Sequence, residues 1–510
     1  MTSHTESVKP VVTCTFLGAS GTVTGSKYLL TIENRPTNSQ ISQASNEAGS
    51  ESAGEEASQI SESRERKENS RYVLIDAGMF QGEKKWRRQN WATFVPPARE
   101  ITDILITHAH ADHVGYLPAL VKQGFRGRVW ATPGTIDLAA IVLRDAGQLQ
   151  MQDAKSAQRG GYSKHENPLP LFTPKDVEAA LSFFEPVEYD EDVNLDGFTA
   201  RWVRAGHILG SASIHLNIAG TTILFSGDLG RDKPPLLIPR EAPPHADWVI
   251  MESTYGDREH ETSNPPHEPM AKAIRDTAKR GGKILIPTFA IDRTEAVMHQ
   301  IVTMIREGRI PSLPVFVDSP MGLKALDVYQ NRSEQELRHD IDVDDFMGIP
   351  QLVEARTPED SKRINYFKHT CIIVTSSGMM EGGRVLHHLE RMLPDPDNTV
   401  IITGFQAEGT RGRKLIDGAK NLKMHGWYVP VRASIVQDRE FSVHAGQSEL
   451  LKWVAQTQPE GSQPHAVFLT HGEVRASQAL QNRIHDDLGW NAAVPEFGEK
   501  VRLSPTPQNH

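Results

Sequence analysis

The chain has 510 residues, 38% of them hydrophobic and 24% charged, which supports two or three packed domains and excludes a chain too polar to fold. A formal charge of −10 excludes a protein that coats nucleic acid through overall basicity, and a complement of two cysteines, Cys14 and Cys371, excludes a disulfide framework or a cysteine-rich metal site. The N-terminus is polar and no later apolar run reaches bilayer-spanning length, so neither a signal peptide nor a membrane span is read and a cytoplasmic location is expected.

In chain order, residues 11–17, 27–32 and 71–75 read as strands divided by glycine turns, a β-rich beginning. Residues 34–70 are dominated by Ser, Glu, Gln, Asn and Ala. That composition buries too little apolar surface to offset ordering entropy, so the segment is expected to be a disordered insertion in a hairpin loop. Lys84-Lys85-Trp86-Arg87-Arg88, and later Arg411-Gly412-Arg413-Lys414, are basic clusters that could meet phosphates, although for each in isolation a solvated surface is the preferred reading. Beyond Thr254 the pattern changes to short apolar strands at 283–286, 313–317, 371–375 and 399–402, with helices between them, which predicts a parallel α/β layer. In the first of these helices Val297, Ile301, Met304 and Ile305 share one face, and Asp292 and Glu295 stand at capping-box spacing. From about Val431 histidine-bearing turns after strands return, so the α/β segment reads as an insertion. The expected boundaries are 1–255 for the first part of the outer domain, 256–430 for the insertion and 431–510 for the return.

The densest chemical signal is the strand Ile104-Leu105-Ile106 running into Thr107-His108-Ala109-His110-Ala111-Asp112-His113. Alternation at a strand end sends His108 and His110 the same way, while Asp112 and His113, one turn on, can reach a second ion. Further donors stand at strand ends beside glycine: His207 in Gly206-His207-Ile208-Leu209-Gly210, Asp228 in Ser226-Gly227-Asp228-Leu229-Gly230, and His471 in Thr470-His471-Gly472-Glu473. A carboxylate has two oxygens and can bridge two metals about 3.5 to 4 Å apart, the role assigned to Asp228.

These residues, together with Asp76 in Leu74-Ile75-Asp76-Ala77-Gly78, resemble the metallo-β-lactamase superfamily. The later segments resemble its β-CASP, nucleic-acid-processing branch: Met251-Glu252-Ser253-Thr254-Tyr255-Gly256 its first acidic motif, Phe441-Ser442-Val443-His444-Ala445-Gly446 its second, and Thr470-His471-Gly472-Glu473 its third. The bacterial RNA-processing members and the endonuclease subunit of the eukaryotic pre-mRNA 3′-end cleavage factor are similar in pattern. The resemblance implies an αββα metallo-β-lactamase sandwich with an inserted parallel α/β β-CASP domain, and two zinc ions per chain. One zinc is then implied to take His108, His110, His207 and Asp228, the other Asp112, His113, Asp228 and His471. Asp76 orients ligands or the reacting water, and Asp112 also belongs to the catalytic set. Glu252 and His444 are implied to pair, with His444 at the scissile phosphate or acting as general acid. Ser376, Ser377 and Gly378, which follow the 371–375 strand, and Arg293 are implied substrate contacts. At Asp292 the branch commonly has glycine.

The implied activity is a zinc-dependent ribonuclease that hydrolyses RNA phosphodiester bonds with a metal-bridging hydroxide, an endonuclease acting on single-stranded RNA in processing or decay. A histidine in the third motif accompanies RNA-processing members of the branch. Alternatives are a DNA nuclease of the same branch, and a catalytically silent RNA-binding scaffold, which should have lost metal ligands that this chain retains. A small-thioester or lactam hydrolase would need no second domain. Homodimerisation is left open. Of the remaining histidines, His165, His299, His339 and His425 read as surface or core residues, while His387 and His388 follow the glycine-rich turn towards the cleft.

Overall fold

The computed structural model describes residues 10–33, 70–160, 168–261 and 263–503. Residues 34–69 of the expected insertion lie outside them; Ser70 does not belong to it, because it begins a strand and pairs with Glu33.

The first sheet is built from β1 (Val11–Phe16), β2 (Tyr28–Glu33), β3 (Ser70–Ile75), β4 (Ile101–Leu105), β5 (Arg128–Ala131) and β6 (Phe184–Pro186). The second takes β7 (Val193–Asn194), β8 (Thr199–Arg204), β9 (Ala212–Ile218), β10 (Thr221–Phe225) and β11 (Trp248–Glu252). Next come β12 (Ile284–Thr288), β13 (Val315–Asp318), β14 (Leu352–Glu354), β15 (Ile372–Ser376) and β16 (Thr399–Ile402), a two-stranded hairpin of β17 (Asn421–Met424) and β18 (Trp427–Pro430), and β19 (Ser434–Gln437). The chain then returns: β20 (Ala466–Thr470) pairs with β11 and β21 (Ala492–Ala493) with β20, and β22 (Lys500–Arg502) closes on β1.

Val12, Cys14 and Phe16 of β1 and Ile214, Leu216 and Ile218 of β9 alternate inward at the period of two that a strand imposes, and fill the space between the first two sheets with Trp202, Phe225 and Phe468. Outer faces are covered by helices: Leu120, Leu138 and Val177 on the first sheet, and Leu450, Trp453, Leu480 and Ile484 on the second. The third sheet has the order β14-β13-β15-β12-β16-β19, and its pairings are all parallel. Parallel strands are covered on both faces. Accordingly Ile284 and Ile286 pack one way and Leu285 the other, as do Ile372 and Val374 against Ile373. Because β19 is the edge strand of this sheet, the parallel layer runs to Gln437, past the expected limit at 430.

The expected capping box at the helix Arg293–Arg306 does not form. Asp292 has φ 64° and ψ −45°, the Arg293 N–H donates to the Ile291 carbonyl across it, and its carboxylate accepts from Tyr329 Oη at 2.9 Å. A capping residue needs extended backbone, whereas Asp292 is the centre of a γ-turn, the strained kind in which glycine is favoured. Among the described residues no helix is long and apolar enough to cross a membrane.

Candidate metal centre

The donors converge where strands of the two facing sheets end. Asp76 follows β3, and His108 and His110 follow β4, with Asp112 and His113 on the short helix Ala111–Val114. His207 follows β8, Asp228 follows β10, Glu252 ends β11 and His471 follows β20. Gly227 is required for this approach: its φ is 57°, and a Cβ there would sit 2.8 Å from Thr107 Cβ.

Two groups of donor atoms result, His108, His110, His207 and Asp228 in one and Asp112, His113 and His471 in the other, with each group's atoms within 4.8 Å of one another. Asp228 Oδ2 lies 3.6 Å from both His108 Nε2 and His207 Nε2, while Oδ1 lies 3.4 Å from His113 Nε2 and 3.1 Å from His471 Nδ1. The carboxylate therefore divides its oxygens between the groups.

Imidazole nitrogens face one another at 3.1 Å (His108 Nε2 and His110 Nδ1), 3.3 Å (His207 Nε2 and His110 Nδ1) and 3.2 Å (His113 Nε2 and His471 Nε2). Asp228 Oδ1 is buried without a hydrogen-bond partner. Lone pairs brought this close, next to an unsatisfied carboxylate oxygen, are what a bound cation would resolve, so these residues fit a metal pair. Protonation fits in the group of His108, His110 and His207, whereas His113, despite burial, is held well above the ordinary histidine range by the Asp228 and Asp76 carboxylates. Burial pushes His110 down to about 4 and holds His108 and His207 well below the ordinary histidine range, so their nitrogens are free to ligate at neutral pH. Burial opposes ionisation of Asp228, but His471 and His113 beside it hold its carboxyl well below the usual carboxylate range.

A second layer aims these ligands. His113 Nδ1 donates to Asp76 Oδ2 at 2.7 Å, leaving Nε2 for a metal, and the Thr107 N–H and hydroxyl donate to Asp76 at 2.8 to 3.1 Å. Thr107 Oγ1 is also 3.0 Å from His108 Nδ1, and Thr254 Oγ1 is 3.2 Å from His471 Nδ1. These threonines carried no functional reading in the sequence, although both stand inside the motifs that drew attention.

His444 and Glu252 meet, with Nδ1 3.3 Å from either carboxylate oxygen. Glu252 is held in turn by the Leu229 N–H at 2.6 Å. Burial pushes the His444 imidazole down, but the Glu252 carboxylate, together with Asp228 and Asp112, reverses this and leaves its pKa raised. His260 was missed in the sequence; its Nε2 donates to the His444 carbonyl at 2.6 Å, while the Tyr255 ring lies 6.2 Å from that of His444. Lone histidines outside strand-end glycine contexts give no such signal.

The centre opens into a cleft of about 2040 Å³ between the sandwich and the third sheet. Ser376, Ser377, Gly378 and Arg293 line it, with Lys85 and Arg413 from the two basic clusters. Arg293 is buried rather than extended into the cleft: its guanidinium donates to the Thr403 carbonyl. His388 donates to Asp318 at 2.7 Å and so belongs to the frame of the third sheet.

Comparison with known proteins matches residues 66–287 to the metallo-beta-lactamase superfamily, 294–415 to the Beta-Casp domain and 428–495 to the Zn-dependent metallo-hydrolase RNA specificity domain. The chain is 36% identical to Ribonuclease TTHA0252 of Thermus thermophilus over 84% of its own length and 94% of the relative's. It is 30% identical to the RNase J-like protein of Methanocaldococcus jannaschii, over 78% of this chain and 88% of that one. To the transcription termination factor FttA of Methanosarcina mazei it is 30% identical, over 84% and 68%. With a sandwich whose strand ends gather two histidine and aspartate groups, a parallel layer inserted between β11 and β20, and these relatives along most of its length, the chain belongs to the β-CASP branch of the metallo-β-lactamase superfamily.

Proposed function

We propose that the protein is a zinc-dependent ribonuclease that hydrolyses phosphodiester bonds of single-stranded RNA, acting internally, with two zinc ions at the centre. One observation carries the reading. Asp228 directs one carboxylate oxygen to each donor group, an arrangement suited to two adjacent cations. The ribonuclease relative and the RNA specificity domain support RNA as substrate.

His108, His110 and His207 would hold one zinc and Asp112, His113 and His471 the other, with Asp228 shared. When bound, the pair supplies an activated water and neutralises charge developing on the phosphate oxygens. The remaining steps belong to side chains. Asp76 fixes the His113 ring, and Thr107 fixes His108. Glu252 holds His444 through Nδ1, so the second proton of the imidazolium sits on Nε2. As water adds to phosphorus and the bond to the 3′ oxygen breaks, that proton passes to the 3′ oxygen, giving a 5′-phosphate and a 3′-hydroxyl. Ser376, Ser377 and Gly378, on the opposite wall, offer backbone and hydroxyl donors to the strand.

An end-labelled single-stranded RNA, with DNA of the same sequence at matched salt, tests this, since phosphate contacts are salt-sensitive. A zinc-dependent ladder of RNA fragments, with slower cutting of DNA, is expected. Mononucleotide release alone would replace internal action with action from an end, and equal or faster cutting of DNA would overturn the choice of substrate.

A further inference from the structure

We infer that His387, Glu390 and His425 form a separate zinc site on the wall of the cleft, assigned neither by the comparisons nor by the reading above. His387 and Glu390 stand three residues apart on the helix Arg384–Met392, hence on one face. His425 comes from the tip of the β17–β18 hairpin. Met424 pairs with Trp427, so the loop is His425-Gly426 alone, with φ of 47° and 98°, the two positive values that a two-residue type I′ turn requires.

The hairpin lays His425 over the helix. The two imidazole rings stack with centroids 5.0 Å apart, His425 Nδ1 is 3.4 Å from Glu390 Oε2, and one donor atom from each of the three residues lies within 4.8 Å of the others. Trp427 Nε1 donates to Glu390 Oε1 at 2.9 Å, which anchors the carboxylate by one oxygen and leaves Oε2 on the histidine side. A ligating carboxylate is ordinarily held in this way by a hydrogen bond from outside the coordination sphere.

An exposed histidine–glutamate pair explains one contact, but such a pair adds little stability and gives no reason for a second imidazole stacked on the first. Two imidazoles with one carboxylate form a borderline donor set suited to zinc, with a fourth position open. All three residues line the cleft. The inference does not depend on the nuclease reading.

The test is zinc bound per chain, by elemental analysis after equilibrium dialysis at low-micromolar free zinc, for wild type, the His387→Ala/His425→Ala double variant and Glu390→Gln. The His387 and His425 side chains are exposed, so the double variant should fold. It is expected to carry one equivalent less than wild type, and Glu390→Gln to bind that equivalent at least tenfold more weakly. Asp228→Ala should keep it. The difference between double variant and wild type reads this site even if the central one proves empty. Equal zinc in the two, or an unchanged affinity in Glu390→Gln, overturns the inference.

Discussion

A carboxylate that serves two donor groups fails both when it is removed. Asp228→Ala is therefore expected to lose most of both central zinc equivalents, whereas His471→Ala, which touches only the group with Asp112 and His113, should lose about one; equal losses would contradict the division of ligands. His444 is expected to act outside the coordination shell. His444→Ala should retain its central zinc and cut RNA slower by a factor on the order of 10²–10⁴; loss of zinc with the side chain would reassign it as a ligand, since Asp228, Glu252 and His444 also lie within reach of one another. Burial alone would lower the His444 pKa; Glu252 contributes most to raising it, with Asp228 and Asp112 adding to it. A proton donor with a raised pKa works to higher pH, so activity should fall as pH rises through that value. Glu252→Gln should move this alkaline limb of kcat/KM to lower pH, and an unmoved limb would remove Glu252 from the proton's path. His108 to His113 were legible in the sequence because a strand end fixes directions over a few residues, whereas Asp76, Glu252 and His444 were reached through the family resemblance. Partnerships across the chain were legible only through that resemblance, as for Glu252 with His444; which ligand Asp76 holds, and that His260 bonds the His444 carbonyl, depends on how two sheets face each other.

Among elements, the helix Arg293–Arg306 shows where local pattern misleads. Its apolar face was legible, with Val297, Ile301 and Met304 all buried, because helical periodicity survives packing. Its start was not, since the capping-box spacing of Asp292 and Glu295 is real but the γ-turn at Asp292 turns the backbone out of capping geometry. Asp292 is fully buried with one oxygen unpartnered, and burial raises its pKa to about 6 despite the Tyr329 hydrogen bond. A carboxyl whose folded pKa lies above its unfolded value contributes stability below about pH 4 that is lost as pH rises through 6. Asp292→Asn keeps the shape and the Tyr329 bond but cannot ionise. Relative to wild type it should gain stability between pH 4 and 6 and level off above that, by about 2–3 kcal/mol, read from denaturant midpoints at pH 5 and pH 8. A difference that does not vary with pH would mean that Asp292 stays neutral or finds another partner.

At the scale of the whole molecule, β2 and β3 are adjacent antiparallel strands, with Glu33 directly opposite Ser70. The ends of the intervening segment are thus already at hairpin distance. Deleting residues 36–68 and rejoining the strands should leave the melting temperature and RNA cleavage near wild type, because the register is fixed by the strands and loop length changes closure entropy only slowly. A large loss of activity with unchanged melting would make the segment a substrate or partner element. The order of assembly has a further consequence. His471, which meets His113 at 3.2 Å, is made 358 residues after it, and β20, which carries His471 at its end, can join the second sheet only once the whole inserted layer has been made. A ribosome works in one direction along its template, so a growing chain holds an incomplete centre until β20 and His471 have been made. A nascent copy built in this order cannot itself cut the message it is being read from before His471 has been added, 358 residues after His113.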